Sequence, residues 1–169
     1  MYIPDKEKLI RKAHKSLGWD EIKSRLSSLT ISSMGAELAL SLIPENVSFE
    51  SIKINLAETS EMKILLSDKE QLPLSRFEDM RVAIGRALKG ITLETNELRE
   101  ISNILNISGI VKSFLSRLKN NAPVLWRKIA DIKDIPKLKE KIDFCITESG
   151  EINESATHEI RELYHTARS

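Results

Sequence analysis

Apolar residues recur every three or four positions along most of the chain, which is the spacing that places them on one face of a helix. The longest such pattern covers residues 75–118 and is interrupted at Gly90. Beyond the interruption, the apolar positions keep helical spacing for about five turns or more: Leu98, Ile101, Leu105, Val111, Phe114, Leu115 and Leu118. The pattern predicts a short helix and a long helix that pack antiparallel around a four-residue turn.

Local signals predict where these two helices begin and end. Ser75 and Glu78 have the spacing of a capping box, in which the serine oxygen accepts from an amide three residues on and the glutamate reaches back. Gly90 suits the left-handed conformation that follows a helix end. In the segment 93–98, LETNEL, the two glutamates take the cap and third helical positions, and the two leucines have the spacing of a hydrophobic staple.

The same periodicity predicts further helices on both sides of this pair. We expect them at residues 5–17, 19–29, 34–42 and 49–66, then at 123–132 and 136–145, with a last helix from Ser155. The third is apolar on nearly all sides and is expected to be buried, and the hydroxyls of residues 30–33 supply its N-cap. Two others carry stripes that we expect to face inward: Ile22, Leu26 and Leu29 on one, and Ile52, Leu56, Thr59, Met62 or Lys63, and Leu66 on the other.

Residues 143–153 have a different pattern, because apolar and polar residues alternate there around Ser149 and Gly150. Alternation of this kind around a pair that permits positive φ is typical of a β-hairpin. The predicted fold is therefore all-α, a multi-helix bundle with long antiparallel helices and one short β-hairpin near the C-terminus.

The composition is typical of a helical protein, and it also bears on the cellular compartment in which the protein works. The 169 residues contain 30% charged and only 5% aromatic residues, with six glycines and five prolines. One cysteine, Cys145, excludes an internal disulfide and fits a reducing compartment. The first residues lack the apolar core of a secretion signal, and no run is apolar enough for a membrane span. We therefore expect a cytoplasmic protein without a membrane partner.

Charge is unevenly distributed, although the net charge is only +1. Residues 112–141 contain nine Lys or Arg against three Asp or Glu, whereas residues 45–79 contain eight acids against four bases. A basic segment of this kind can face phosphates. It is more often the solvated side of helices, and this one lacks interleaved aromatic residues for base stacking. The candidate nucleic-acid contacts are Lys112, Arg117, Lys119, Arg127 and Lys128.

Residue patterns that often form catalytic or ligand-binding sites have structural explanations in this chain. The glycines of residues 85–92 resemble a phosphate-binding loop, but the position that requires lysine is Ile91 and the segment lies in a helix and its cap. The three histidines lack Cys or His partners at metal-ligand spacing. Cys145 lies in an apolar stripe, which favours a buried structural thiol over a nucleophile. We expect no catalytic, cofactor or metal site in this segment.

A series of short motifs resembles the start of MutS-related proteins, and more narrowly the bacterial MutS-two subfamily, which begins at the core (lever) domain. The motifs keep their order and spacing from residue 17 onward. They are LGWDEI at 17–22, SSMGAELALSLIP at 32–44, LAETSE at 56–61, FEDMR at 77–81, KG at 89–90, LETNEL at 93–98 and the stretch 142–157, which ends in ESGEINESAT. The resemblance implies an N-terminal extension helix at residues 1–16 and the N-terminal part of the core domain at residues 17–169.

The resemblance also implies a function for the longer parent protein. Such proteins are homodimeric DNA-binding ATPases, usually with a C-terminal small MutS-related nuclease domain, and they are associated with branched DNA, control of recombination and, in some bacteria, ribosome rescue. ATP and Mg²⁺ would be bound by the parent's ATPase domain, beyond this chain. The chain itself would be a non-catalytic segment that couples the ATPase to the DNA clamp. The alternative is a stand-alone helical module that binds DNA or protein through its basic segment, and an enzyme ranks third.

Overall fold

The computed structural model describes residues 6–43, 48–67, 72–157 and 166. Within these residues the chain forms eight helices and no β-strand. The helices are α1 Lys6–Ser16, α2 Trp19–Ser28, α3 Ser33–Leu40, α4 Phe49–Ser67, α5 Arg81–Ala87, α6 Thr95–Arg117, α7 Pro123–Ile129 and α8 Pro136–Cys145. The all-α prediction is confirmed. The chain divides into two compact units, Met1–Ser48 and Phe49–Ser169, and the predicted boundary between residues 16 and 17 stays a prediction.

The first unit is a set of three short helices joined by tight connections. Gly18 adopts φ +64° between α1 and α2, a left-handed conformation that costs glycine little. Ser32 caps α3, as predicted, by accepting a hydrogen bond from the backbone N–H of Gly35 at 3.1 Å. The indole N–H of Trp19 donates to the carbonyl of Leu42 at 3.3 Å, which ties the start of α2 to the residues after α3.

The first unit buries less than the sequence predicts. Ile22, Leu26 and Leu29 were expected to face inward, but they are 52%, 43% and 74% exposed. Helix α3 was expected to be buried, yet only its Ala39 is, and Leu38 is 68% exposed. Both predictions are wrong because helices of 8 to 11 residues offer too little neighbouring surface to cover an apolar stripe.

The second unit contains the main core, which lies where α4, α6 and α7 meet. Its buried cluster comprises Leu65, Phe114, Leu115, Ala122 and Leu125. Partly buried side chains, including the indole of Trp126, pack around this cluster. Helix α6 contacts both α7 and α8, and α4 contacts α7. The long helix α6 is therefore the element on which the unit is built.

The predicted stripe of α4 does not face this core. Leu65 is 4% exposed and Met62 packs against the cluster, whereas Ile52, Leu56 and Leu66 are 41%, 62% and 66% exposed. Helix α4 is apolar on more than one side, so periodicity alone could not select the side that α7 covers.

The start of α5 also differs from the prediction. Ser75 does not cap a helix, because residues 72–80 are non-helical and α5 begins at Arg81. The N–H of Glu78 instead donates to the carboxylate of Glu100 on α6 at 2.8 Å. Asp79 accepts from the N–H of Arg81 at 3.0 Å, next to the first residue of the helix. A contact between distant segments has therefore replaced the local capping box.

The turn from α5 to α6 has the predicted local geometry, but the predicted packing of the two helices along each other is not seen, since the extensive contacts of α6 are with α7 and α8. Gly90 has φ +77°, as its position after a helix requires. Glu94 is the N-cap of α6 and Glu97 its third residue, as predicted. The backbone N–H of Glu94 donates to the carboxylate of Glu97 at 3.0 Å, so the two glutamates form a capping box. Glu97 also forms an ion pair with Arg86 of α5.

The predicted β-hairpin near the C-terminus is wrong. Helix α8 continues to Cys145, and only one isolated antiparallel bridge follows, between Ile146 and Ile152. A turn does form around Gly150, since the N–H of Thr147 donates to the carbonyl of Glu151 and the N–H of Asn153 donates to the carbonyl of Cys145, both at 2.8 Å. These bonds do not extend into paired strands, because the residues up to Cys145 belong to α8. The last predicted helix lies mostly outside the described residues.

Candidate functional site

Two of the five predicted nucleic-acid contacts, Lys112 and Lys128, form ion pairs with acidic residues of the same chain. Lys112, on α6, binds the carbonyl of Ile132 at 2.5 Å and the carboxylate of Asp134 at 3.1 Å. Lys128, on α7, pairs with Glu58 of α4 at 2.6 Å. Both lysines therefore connect secondary-structure elements, and their charge is partly neutralised there.

The other three predicted contacts are exposed near the end of α6 and along α7. The guanidinium of Arg117 lies over the ring of Phe114, with 5.7 Å between Cζ and the ring centroid. Lys119 follows in the turn after α6 and is exposed. Arg127 donates to the carbonyl of Pro123 at 3.3 Å, one helical turn earlier. Within the described residues, Arg117 and Lys119 form no ion pair.

The α4–α7 joint, formed by Glu61 of α4 with Val124 and Leu125 of α7, is a polar connection that the sequence does not predict. The carboxylate of Glu61 accepts hydrogen bonds from the N–H groups of Val124, at 3.0 Å, and Leu125, at 2.9 Å. The first amides of a helix have no partner within the helix, and Ala122 at the N-cap has no side-chain acceptor to offer. Glu61 supplies that acceptor from another helix. Pro123 and Ala122 were the available signals, because proline predicts a helix N-terminus there and the alanine before it has no side-chain acceptor.

A second polar cluster, also missed, joins α6 to α8 around Asp143. Its carboxylate accepts from the hydroxyl of Ser102 at 2.5 Å and pairs with Lys139 at 2.6 Å and Arg99 at 3.5 Å. Ser102 is 2% exposed, and Asp143 satisfies its hydroxyl. The hydrogen bond from Lys139, and then that from Ser102, hold the pKa of Asp143 below its ordinary value. All of these groups have partners, as expected of a structural connection.

Asp79 is the other carboxyl group with a shifted pKa. Hydrogen bonds from the side chain and then the backbone N–H of Arg81 lower the pKa of Asp79 below its ordinary value. The two residues are neighbours at the start of α5, so this interaction organises the local chain.

The two largest of the openings found along α6 in the described part of the second unit differ in character. One, of about 770 Å³, runs between α6 and the start of α8 and has mainly apolar walls that include Leu105, Ile110 and Ile135. The other, of about 600 Å³, surrounds the Asp143 cluster and is more polar. In the described parts of the chain, no three His, Cys, Asp or Glu residues come together as a metal-ligand group. None of the helices described there is both long and apolar enough to cross a bilayer.

Comparison with known proteins gives the family context for this architecture. No protein-family model matches the chain. Endonuclease MutS2 of Bacillus mycoides (strain KBAB4) is 30% identical over 165 residues, which is 95% of this chain and 21% of that protein. Endonuclease MutS2 of Ruminiclostridium cellulolyticum is 29% identical over 148 residues, 86% of this chain and 19% of that protein.

The chain is related in sequence to endonuclease MutS2. A third protein of that name, from Bacillus cereus (strain Q1), is 30% identical over 156 residues, 90% of this chain and 20% of its own length. The chain spans about a fifth of the length of the MutS2 relatives it matches. The similarity therefore includes nearly all of the helices described above and a small share of each MutS2 protein.

Proposed function

We propose that the chain is a non-catalytic core segment of a MutS2-related DNA-binding ATPase and endonuclease. In this role its packed helices couple the nucleotide state of the ATPase to the part of the parent that holds DNA. The parent would bind ATP and Mg²⁺ outside these helices, act as a cytoplasmic homodimer, and take branched DNA as its substrate, with stalled ribosomes as a further one. The relation to MutS2 over most of the chain supports the assignment.

The observation that carries the proposal is the α4–α7 joint. The carboxylate of Glu61 is occupied by two backbone N–H groups of α7. Glu58, one turn earlier, binds Lys128 of α7. These contacts hold α4 and α7 in one relative position. A movement of one helix would therefore be passed to the other, as the proposed coupling requires.

Exposed apolar residues support a place within a larger protein. On α4, Phe49, Leu56 and Leu66 are 69%, 62% and 66% exposed. Full burial of a side chain of this size stabilises a protein by about 1.5–3 kcal/mol. Further parts of a MutS2-like parent would cover these side chains. The heptad-like spacing of Phe49, Ile52 and Leu56 suits a neighbouring helix.

The isolated 169-residue chain provides the test. We expect it to fold as a helical protein by circular dichroism and to show neither ATP hydrolysis nor nuclease activity with Mg²⁺ present. Measurable turnover of ATP that survives chromatography and is altered by substitutions in this chain would contradict the non-catalytic role.

A second candidate function, a helical module that binds nucleic acid, is favoured by one observation. Arg117 and Lys119 are exposed and form no ion pair with a described residue. If they contact phosphates, the chain binds branched duplex DNA with an affinity that falls as salt rises. Charge reversal at Arg117, Lys119 and Arg127 should then abolish binding. Reversal at Lys112 is the informative control, because that lysine is held by Asp134.

A further inference from the structure

The opening between α6 and the start of α8, hereafter the α6 groove, has a lining that the proposed function does not use. Its apolar walls are formed by Pro73, Leu105, Ile110, Ile135 and Pro136, and Phe114 closes one side. Ile110 and Ile135 are 44% and 48% exposed, so apolar surface remains open to solvent along the groove. The volume of about 770 Å³ is sufficient for several side chains of a ligand.

Charge in the α6 groove is concentrated on one side chain. Asp134 is paired with Lys112 at 3.1 Å, and Lys139 is paired with Asp143 at 2.6 Å. Arg117 lies at the groove and, within the described residues, has no acidic partner. Its guanidinium is held over the ring of Phe114 and so is positioned in advance. Among the described residues, the groove thus combines apolar walls with one cation that has no acidic partner.

We propose that the α6 groove binds an amphipathic helix of a partner protein, with apolar side chains against Ile110 and Ile135 and a carboxylate paired with Arg117. Apolar anchors three or four residues apart on one helix face are how a helix occupies such a groove. The lining runs along α6 from Leu105 to Arg117, a rise of about 18 Å, which corresponds to roughly three turns of a bound helix. This inference does not rest on the core-segment role proposed above, and it is an alternative to the nucleic-acid candidate, which also uses Arg117.

Nucleic acid is a poorer occupant for the same surface. Base stacking requires an accessible ring, and the ring of Phe114 is 5% exposed. A phosphate backbone would contact one cation, Arg117. It would cover Ile110 and Ile135 without burying them against apolar groups. An acidic amphipathic helix satisfies both the charge and the apolar walls.

The test is a selection of displayed helical peptides of about four turns, with apolar positions fixed and the remaining positions randomised, using the whole 169-residue chain as target. We expect the selected peptides to share an acidic residue at one position. Arg117→Glu should weaken their binding about tenfold or more, as for the loss of a charge-assisted pair. Selection against the Arg117→Glu chain should enrich lysine at that same position.

Two variants keep this test specific. Lys119→Glu reverses an exposed charge that does not line the groove, and should leave peptide affinity within about twofold. Ile110→Asp should abolish binding, and because Ile110 is 44% exposed, circular dichroism and urea unfolding are expected to show a folded chain.

Other outcomes would overturn the proposal. One is that no selected peptide depends on Ile110 for binding. Another is that the Arg117→Glu chain selects peptides with the same acidic residue as the unchanged chain. A third is that Lys119→Glu lowers peptide affinity as much as Arg117→Glu does. Self-association that Ile110→Asp abolishes would instead make a second copy of the chain the occupant. Displacement of the peptide by duplex DNA, with Arg117 and Lys119 equally required, would make the surface a nucleic-acid site.

Discussion

The carboxylate of Glu61 accepts a hydrogen bond from the backbone N–H of Val124 at 3.0 Å, across 63 residues of sequence. A second bond from the N–H of Leu125 makes this carboxylate the cap of α7. Because α4 thereby completes the hydrogen bonding of another helix, the two helices are coupled by geometry as well as by apolar packing around Leu65. The joint can be tested by changes in stability.

Glu61→Ala should destabilise the second unit by about 2 kcal/mol, since two amides at the start of α7 lose a charged acceptor. Glu61→Gln keeps an acceptor and should cost about half as much. Urea unfolding followed by circular dichroism measures both. The matched control is Glu58→Ala, which removes an ion pair to a mostly exposed lysine and should cost less than about 1 kcal/mol. Equal effects at the two glutamates would show that capping is unimportant.

Gly150 is buried with φ +82°, and a Cβ built on it would lie 2.5 Å from Oδ1 of Asn96. Gly150→Ala should therefore cost about 2–3 kcal/mol, from the backbone conformation and from the displaced amide. In the Asn96→Ala background the contact is relieved and about 1–2 kcal/mol should remain. Gly109→Ala serves as the contrast, because its Cβ meets nothing within 4 Å in the middle of α6, and the chain should gain about 0.5–1 kcal/mol. A stabilising Gly150→Ala would contradict this explanation.

Asp143 should make stability depend on pH in the acid range. Its pKa is lowered in the folded chain, so its contribution is present above the ordinary carboxyl pKa of about 3.9 and is lost as pH falls through the folded value. Asp143→Asn should cost about 1–2 kcal/mol near neutral pH and much less near about pH 2. Urea unfolding at several pH values gives the slope of the unfolding free energy against pH. Glu140 is an exposed carboxylate on the same helix, so Glu140→Gln should leave this slope nearly unchanged. If Asp143→Asn has the same slope as the unchanged chain, Asp143 is not the source of the pH dependence.

Lys112 should behave as a structural residue although it was predicted as a ligand contact. Its ammonium group joins α6 to Ile132 and Asp134, so Lys112→Met should cost about 1 kcal/mol. Lys119→Met, at an exposed position, should stay within about 0.5 kcal/mol of the unchanged chain. Thermal unfolding compares the two. The reverse order would return Lys112 to the list of ligand contacts.

Local signals in the sequence predicted local structure well. The helix start at Glu94, with Glu97 at its third position, and the left-handed Gly90 depend on neighbours within a few residues, and both predictions were confirmed. Predictions that depend on distant partners were less successful. Ser75 was not a cap because Glu100 binds the N–H of Glu78, and the predicted β-hairpin is reduced to one bridge between Ile146 and Ile152.

The polar connections were missed for the same physical reason. The spacing of Glu61 from Val124, or of Ser102 from Asp143, contains no local rule that would pair them. Charge density correctly marked residues 112–141 as basic, but it could not separate Lys112 and Lys128, which bind acids of the same chain, from the exposed Arg117.

DNA-dependent ATP hydrolysis by the full-length MutS2-like parent is the measurement that bears most directly on a coupling role. We expect Glu61→Ala to leave hydrolysis without DNA within about twofold, and to reduce the stimulation by branched DNA about fivefold or more, while Glu58→Ala changes both little. DNA stimulation that is unchanged by Glu61→Ala, in a protein shown to be folded, would contradict the coupling role. So would ATP hydrolysis by the 169-residue chain alone.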